Sequence, residues 1–127
     1  MSMQAWNPGD VVKASYKTGE YIGEIVELMN SGKVAVRILA VAGHPEQGNL
    51  HHPMDPDVPF FHERRALAYQ EIALMPPQTV SPYRGAVPDY KASLLQALER
   101  EYERLDRLSR WAQRGQQELE KLRQEYT

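Results

Sequence analysis

Three of the four histidines in the chain fall in the stretch His44-Pro45-Glu46-Gln47-Gly48-Asn49-Leu50-His51-His52-Pro53, and the fourth, His62, follows closely. Imidazole nitrogens beside Asp55, Asp57 and Glu63 offer the donor set of a zinc or nickel site, with His44, His51 and His62 as first ligands. Their spacing matches no zinc pattern: there is no HExxH helix and no His pair at i,i+4. A second possibility is acid-base chemistry by His62 and Glu63 with Arg64 and Arg65 as anion clamps. Successive residues on a strand point to opposite faces, so "HERR" presents all four to one substrate only if it is a turn. Proline and glycine at 43, 45, 48, 53, 56 and 59 account for the composition by turn geometry. The expectation is a shaped loop with no catalytic residue, no metal and no cofactor; a metal-dependent hydrolase using the His-rich loop is the minor alternative.

The elements that position this loop follow from the rest of the chain. It has 127 residues, 42% of them hydrophobic, enough for one domain with its own core. With no cysteine there is no disulfide, thiolate or lipidated thiol. The start "MSMQAWNPGD" lacks the basic flank and apolar run of a secretion signal, and no stretch reaches the ~20 apolar residues of a membrane span. A cytoplasmic protein without direct membrane insertion is expected, peripheral to a membrane only through a partner. A net charge of -2, with seven basic and ten acidic side chains in residues 1 to 90, speaks against nucleic acid as partner. A nucleic-acid-binding barrel is nonetheless an alternative, because small barrels often serve that role.

From Gly9 to Ala42 the pattern is that of three consecutive antiparallel strands. "DVVKASY" puts Val12, Ala14 and Tyr16 on one face; "YIGEIVELM" is rich in β-branched residues; "VAVRILAVA" is apolar on both faces except at Arg37. Turns are expected at Thr18-Gly19 and at "NSGK", residues 30 to 33. Gly23 inside a strand suggests a bulge, and hence a small, strongly bent barrel. A fourth strand is expected within "VPFFHERRALAYQEIALM", around Leu67 and Tyr69, and a short closing strand at "TVSPY". Phe60 and Phe61 have two readings: one or both plug the barrel's open end, or a ring stands on the surface as a partner anchor beside His62 and Arg64.

Asp89 stands where it can cap a helix. Leu94, Leu98, Leu105, Leu108, Ala112, Leu119, Leu122 and Tyr126 then recur at threes and fours, with Glu101 and Gly115 filling the gaps, which is one helix face. Tyr102 and Trp111 widen it. Glu103 with Arg107, and Asp106 with Arg110, are favourable i,i+4 pairs. Two helices joined near 108 to 115 are expected, Ser109 capping the second and Gly115 breaking the first; one long broken helix is the alternative. The leucine stripe, with Leu94, Leu98, Leu105, Leu108, Trp111, Leu119 and Leu122 as candidate interface, needs a cover: the barrel, the other helix or a second copy in a homodimeric scaffold.

The segments "YKTGEYIGEIVE" (16 to 27), "HPEQGNLHHP" (44 to 53), "DVPFFHERRALAYQE" (57 to 71) and "VPDYKASL" (87 to 94) resemble the kinase-associated protein B family of spore-forming bacilli, in order and over nearly the whole chain. The resemblance implies an SH3-like antiparallel barrel, expected at 1–85 with a long loop at 43–59, then a helical region at 86–127. It implies a non-enzymatic adaptor that supports a membrane sensor histidine kinase feeding the sporulation phosphorelay through protein-protein contacts. It brings no catalytic or ligand residue. The family is sometimes described as lipoprotein, a label that a chain without cysteine or signal peptide is not expected to carry. The candidate partner-binding residues are His44, His51, Phe60, Phe61, His62 and Arg64, with the exposed part of the helical face.

Overall fold

The structure, a computed structural model, describes residues 6–127; residues 1–5, half of the segment read above for a secretion signal, lie outside the described residues. Five strands form one antiparallel sheet: β1 (Val11–Tyr16), β2 (Gly19–Leu28), β3 (Val34–Gly43), β4 (Ile72–Met75) and β5 (Ser81–Pro82), in the order β4-β3-β2-β1-β5. A 3-10 turn, Pro77–Thr79, carries the chain from β4 at one end of that order to β5 at the other. This is an SH3-like barrel.

The bend of the sheet originates in β2. Its pairing with β3 slips between Ile22 and Gly23, and a Cβ on Gly23 would collide with the Arg37 carbonyl oxygen and Val36 Cγ1. Only glycine lets the strands approach so closely at this bulge. Val12 and Ala14 point inward from β1, as their alternation predicts, and meet Tyr21, Ile25, Val36, Ile38 and Met75 in the core. Between β1 and β2 the turn falls at Lys17-Thr18, one residue earlier than expected, since Tyr16 already pairs with Gly19 and Lys17 takes a positive φ of 54°.

Two expectations need correction here. The fourth strand exists but lies at Ile72–Met75, beyond Leu67 and Tyr69. Residues 66–70 are tied down singly instead: the Leu67 N–H donates to Tyr21 Oη, and the Gln70 N–H to the Ile38 carbonyl. Neither phenylalanine plugs the barrel. Phe60 and Phe61 are 73% and 62% exposed, and Ala66 and Leu67 pack against the core in their place.

The helix, α1 (Tyr90–Tyr126), is single and unbroken over 37 residues, about 55 Å. Asp89 caps it, its carboxylate accepting from the Ala92 N–H at 3.0 Å. The expected joint near 108 to 115 is absent, because a lone glycine costs only about 1 kcal/mol in a helix of otherwise strong formers. The Asp106–Arg110 pair at 3.1 Å bridges Ser109, the expected cap of a second helix. Among the described residues, only the first three turns touch the barrel. There Ser93 and Ala97 are buried and Leu94 half-buried against β3, whose second half has no strand partner beyond Arg37 on that side. From Ser109 to Tyr126 every helical residue is exposed.

Candidate functional site

Between β3 and β4 the chain makes no regular element, yet it is ordered by its own hydrogen bonds. Gln47 is the centre of that order. Its side-chain carbonyl accepts from the Arg64 N–H at 2.8 Å, and its amide donates to the Arg64 and Pro45 carbonyls at 2.9 and 3.1 Å. The Gly48 N–H donates to the His62 carbonyl, and Arg64 Nε donates back to the Gly48 carbonyl at 3.1 Å. The two limbs of the loop, 45–48 and 62–64, are thereby stapled side by side.

This staple decides where the aromatic rings stand. Phe61 lies against Gly48, where a Cβ would come within 2.9 Å of its ring, and Gly48 holds a positive φ of 100°. Glycine is therefore doubly required there. Phe60 stacks on His62 with ring centroids 6.2 Å apart. Both rings are braced from one side and open to solvent on the other.

Where the loop meets α1 it leaves two grooves. The first, about 730 Å³, runs between the 63–68 limb and the helix and is bounded by His44, Tyr90, Leu94, Leu98 and Tyr102. The second, about 510 Å³, lies under the tip of the loop, where Met54 and Phe61 face Leu105, Leu108 and Ala112. Gln47, Glu101 and Leu105 belong to both and form the ridge between them. Glu101, which the periodicity marked as an interruption of the apolar seam, accepts two 2.8 Å bonds from Arg104. The Arg104 guanidinium, with a smaller contribution from His44, holds its carboxyl below the usual 4.5 despite partial burial.

The candidate residues from the sequence divide as follows. Phe60, Phe61 and His62 share one exposed patch, and Arg64 stands behind it with its guanidinium committed to the loop. His44 sits in the first groove, its Nδ1 3.0 Å from the Pro45 carbonyl oxygen. His51 lies apart on the exposed tip, its N–H bonded to the Asn49 side chain in a turn. Among the described residues no three His, Asp or Glu side chains converge as a metal centre would require. Sequence reasoning missed Gln47, Ser93 and Arg100. The Ser93 hydroxyl accepts from the Val41 N–H, and Arg100 donates to the Ala42 carbonyl, both on the open edge of β3. A serine beside Leu94 in the apolar seam was the one signal for Ser93.

No helix is long and apolar enough to cross a membrane among the described residues. A family described as kinase associated protein B matches residues 16–127. The protein named kinase-associated lipoprotein B of Bacillus subtilis (strain 168) is 46% identical over 125 residues, 98% of this chain and 97% of that one. The crystal structure of kinase-associated protein B from Bacillus cereus superposes with a TM-score of 0.66 at 37% identity, over 80% of this chain and 79% of that one. With the sequence match spanning barrel, loop and helix alike, the chain belongs to the kinase-associated protein B family.

Proposed function

We propose that this protein is a non-catalytic adaptor that binds a sensor histidine kinase of the sporulation phosphorelay through the face formed by the stapled loop and the first half of α1. The observation that carries the reading is the pair Phe60 and Phe61, held outward on a hydrogen-bonded loop beside two apolar grooves. Large rings already fixed in place lose little entropy on binding, and aromatic residues are what protein interfaces favour at their centres. His62 and the polar rim of Glu63 and Arg65 surround them. His44 and His51 mark the outer limits of the same face, and Arg64 acts from behind by fixing the loop.

The mechanism is one of association. An adaptor alters a kinase only by binding one of its conformations more tightly than another, so its contacts must differ between the active and inactive forms. Calorimetric titration of the protein against the soluble cytoplasmic portion of the kinase, with chelator present, tests this. Saturable binding that a Phe60→Ala/Phe61→Ala variant weakens at least tenfold, with its melting temperature unchanged, is the expected result. Absence of binding by the unmodified protein overturns the reading.

A further inference from the structure

The seam of α1 is more regular than packing on the barrel requires. From Leu94 the positions 98, 101, 105, 108, 112, 115, 119, 122 and 126 alternate spacings of four and three without a slip. That is a strict 3.5-residue repeat, the pattern of a coiled coil and not of a helix lying on a globular core. The barrel uses only its beginning, through Leu94 and the neighbouring Ser93 and Ala97. Beyond Leu108 the seam continues for 18 residues, about five helical turns, into solvent, with Leu119 64% exposed.

We propose that this free half pairs with the same half of a second copy, the two helices running antiparallel about a point midway between Ala112 and Gly115. In that register Leu105 opposes Leu122 of the second copy, Leu108 opposes its Leu119, and Ala112 opposes its Gly115; the two-fold relation repeats each contact. The two smallest seam residues meet at the crossing. A Cβ on Gly115 meets nothing within the chain, so the single chain gives no packing reason for glycine there, whereas close approach of a second helix does.

The flanking charges favour this orientation. Beside the seam, Arg104 falls opposite Glu125 of the second copy, Tyr102 opposite its Arg123, and Ser109 opposite its Gln116, with no like charges facing. A parallel pair instead sets Arg104 against Ser109 and Trp111 against Gln116, leaving Glu118 with Arg123 as its one charged contact. Antiparallel helices also place each macrodipole against its opposite. The barrels then sit at the two ends of the pair, on opposite sides of the crossing. In the same register Tyr126 of the second copy arrives beside Glu101, at the ridge where the groove of Met54 and Phe61 opens. This assembly needs no kinase to form, so its test is independent of the adaptor reading, although it covers Leu105, Leu108 and Ala112 in the second groove.

Sedimentation equilibrium of the full chain at about 50 μM is the first test, with twice the chain's 14.6 kDa expected. Leu119→Glu, on a fully exposed turn, should return a folded monomer with unchanged barrel spectra. Orientation is read by disulfide formation, for which the cysteine-free chain is suited. A mixture of Leu105→Cys and Leu122→Cys chains should link efficiently while neither variant links to itself, since like positions lie about 25 Å apart in the antiparallel pair. A monomeric unmodified protein overturns the proposal. So does a dimer in which Leu105→Cys alone crosslinks, which marks a parallel pair, or one that Leu119→Glu leaves intact.

Discussion

The Ser93 hydroxyl lies 2.9 Å from the Val41 nitrogen and accepts its N–H, while donating its own proton to the Tyr90 carbonyl at 2.7 Å. On its β4 side β3 has no strand partner after Arg37, and a buried strand edge with free N–H groups costs free energy. The helix takes over where β4 stops. Glu71 and Gln70 bond Ile38, Ser93 bonds Val41, and Arg100 bonds Ala42.

Ser93→Ala should therefore destabilise the fold by about 1–3 kcal/mol, because Val41 is 2% exposed and water cannot replace the lost acceptor. Urea unfolding followed by circular dichroism measures it. A change below about 0.3 kcal/mol would show that the helix is not fastened through this bond.

Gly23→Ala should cost at least as much, about 1–3 kcal/mol or more, since the added methyl meets the Arg37 carbonyl and Val36 across the bulge. Gly32→Ala is the instructive contrast. Its strain comes only from a positive φ of 91°, with nothing within 4 Å of the new methyl, so the loss should be about 1 kcal/mol. Equal melting temperatures for the two variants would remove the close-approach argument.

The barrel was legible wherever side chains alternate: Val12 and Ala14 on β1, the bulge at Gly23, the turn at Gly32, the short strand at Ser81. The helix start at Asp89 was legible because capping is local chemistry. Failure came where tertiary context decides. Leu67 reads like a strand residue, but the Tyr21 hydroxyl takes its N–H and the Tyr90 hydroxyl bonds its carbonyl, so it caps the barrel's end as single hydrogen-bonded chain. Gly115 reads like a helix break, but a penalty of about 1 kcal/mol is small beside the cooperativity of a long helix. The candidate face was half legible. The aromatic pair stood out by type, whereas nothing in the sequence pairs Gln47 with Arg64, 17 residues away.

Glu101 supplies the pH prediction. Arg104 lowers its carboxyl below the usual 4.5 in the folded chain, so the folded state binds that proton less readily than the unfolded one. The stabilisation is fully present above pH 4.5 and is lost as pH falls through the depressed folded value. Glu101→Gln should leave the protein less stable at pH 7 and flatten the acid side of its stability profile below pH 4.5. An acid limb identical to that of the unmodified protein would place the titrating group elsewhere.

Gln47 offers a test of preorganisation. Its side-chain amide makes two of the four bonds that hold residues 45–48 against 62–64, the others being Arg64 Nε to the Gly48 carbonyl and the Gly48 N–H to the His62 carbonyl, and a further bond to the Pro45 carbonyl fixes its own limb. Gln47→Leu keeps the volume and removes two of the four bonds of the staple, leaving the barrel core untouched because Gln47 lies outside it. Amide exchange at Gly48 and Arg64 should then accelerate by roughly tenfold for each 1.4 kcal/mol of local protection lost, while Ile25 and Ile38 keep theirs. If the stapled loop is what presents Phe60 and Phe61, the same variant should also bind the kinase more weakly with both rings still present, the loss appearing as an entropic penalty for ordering the loop. Faster exchange with unchanged affinity would show that the rings bind without the loop's help, and that the staple serves only the fold.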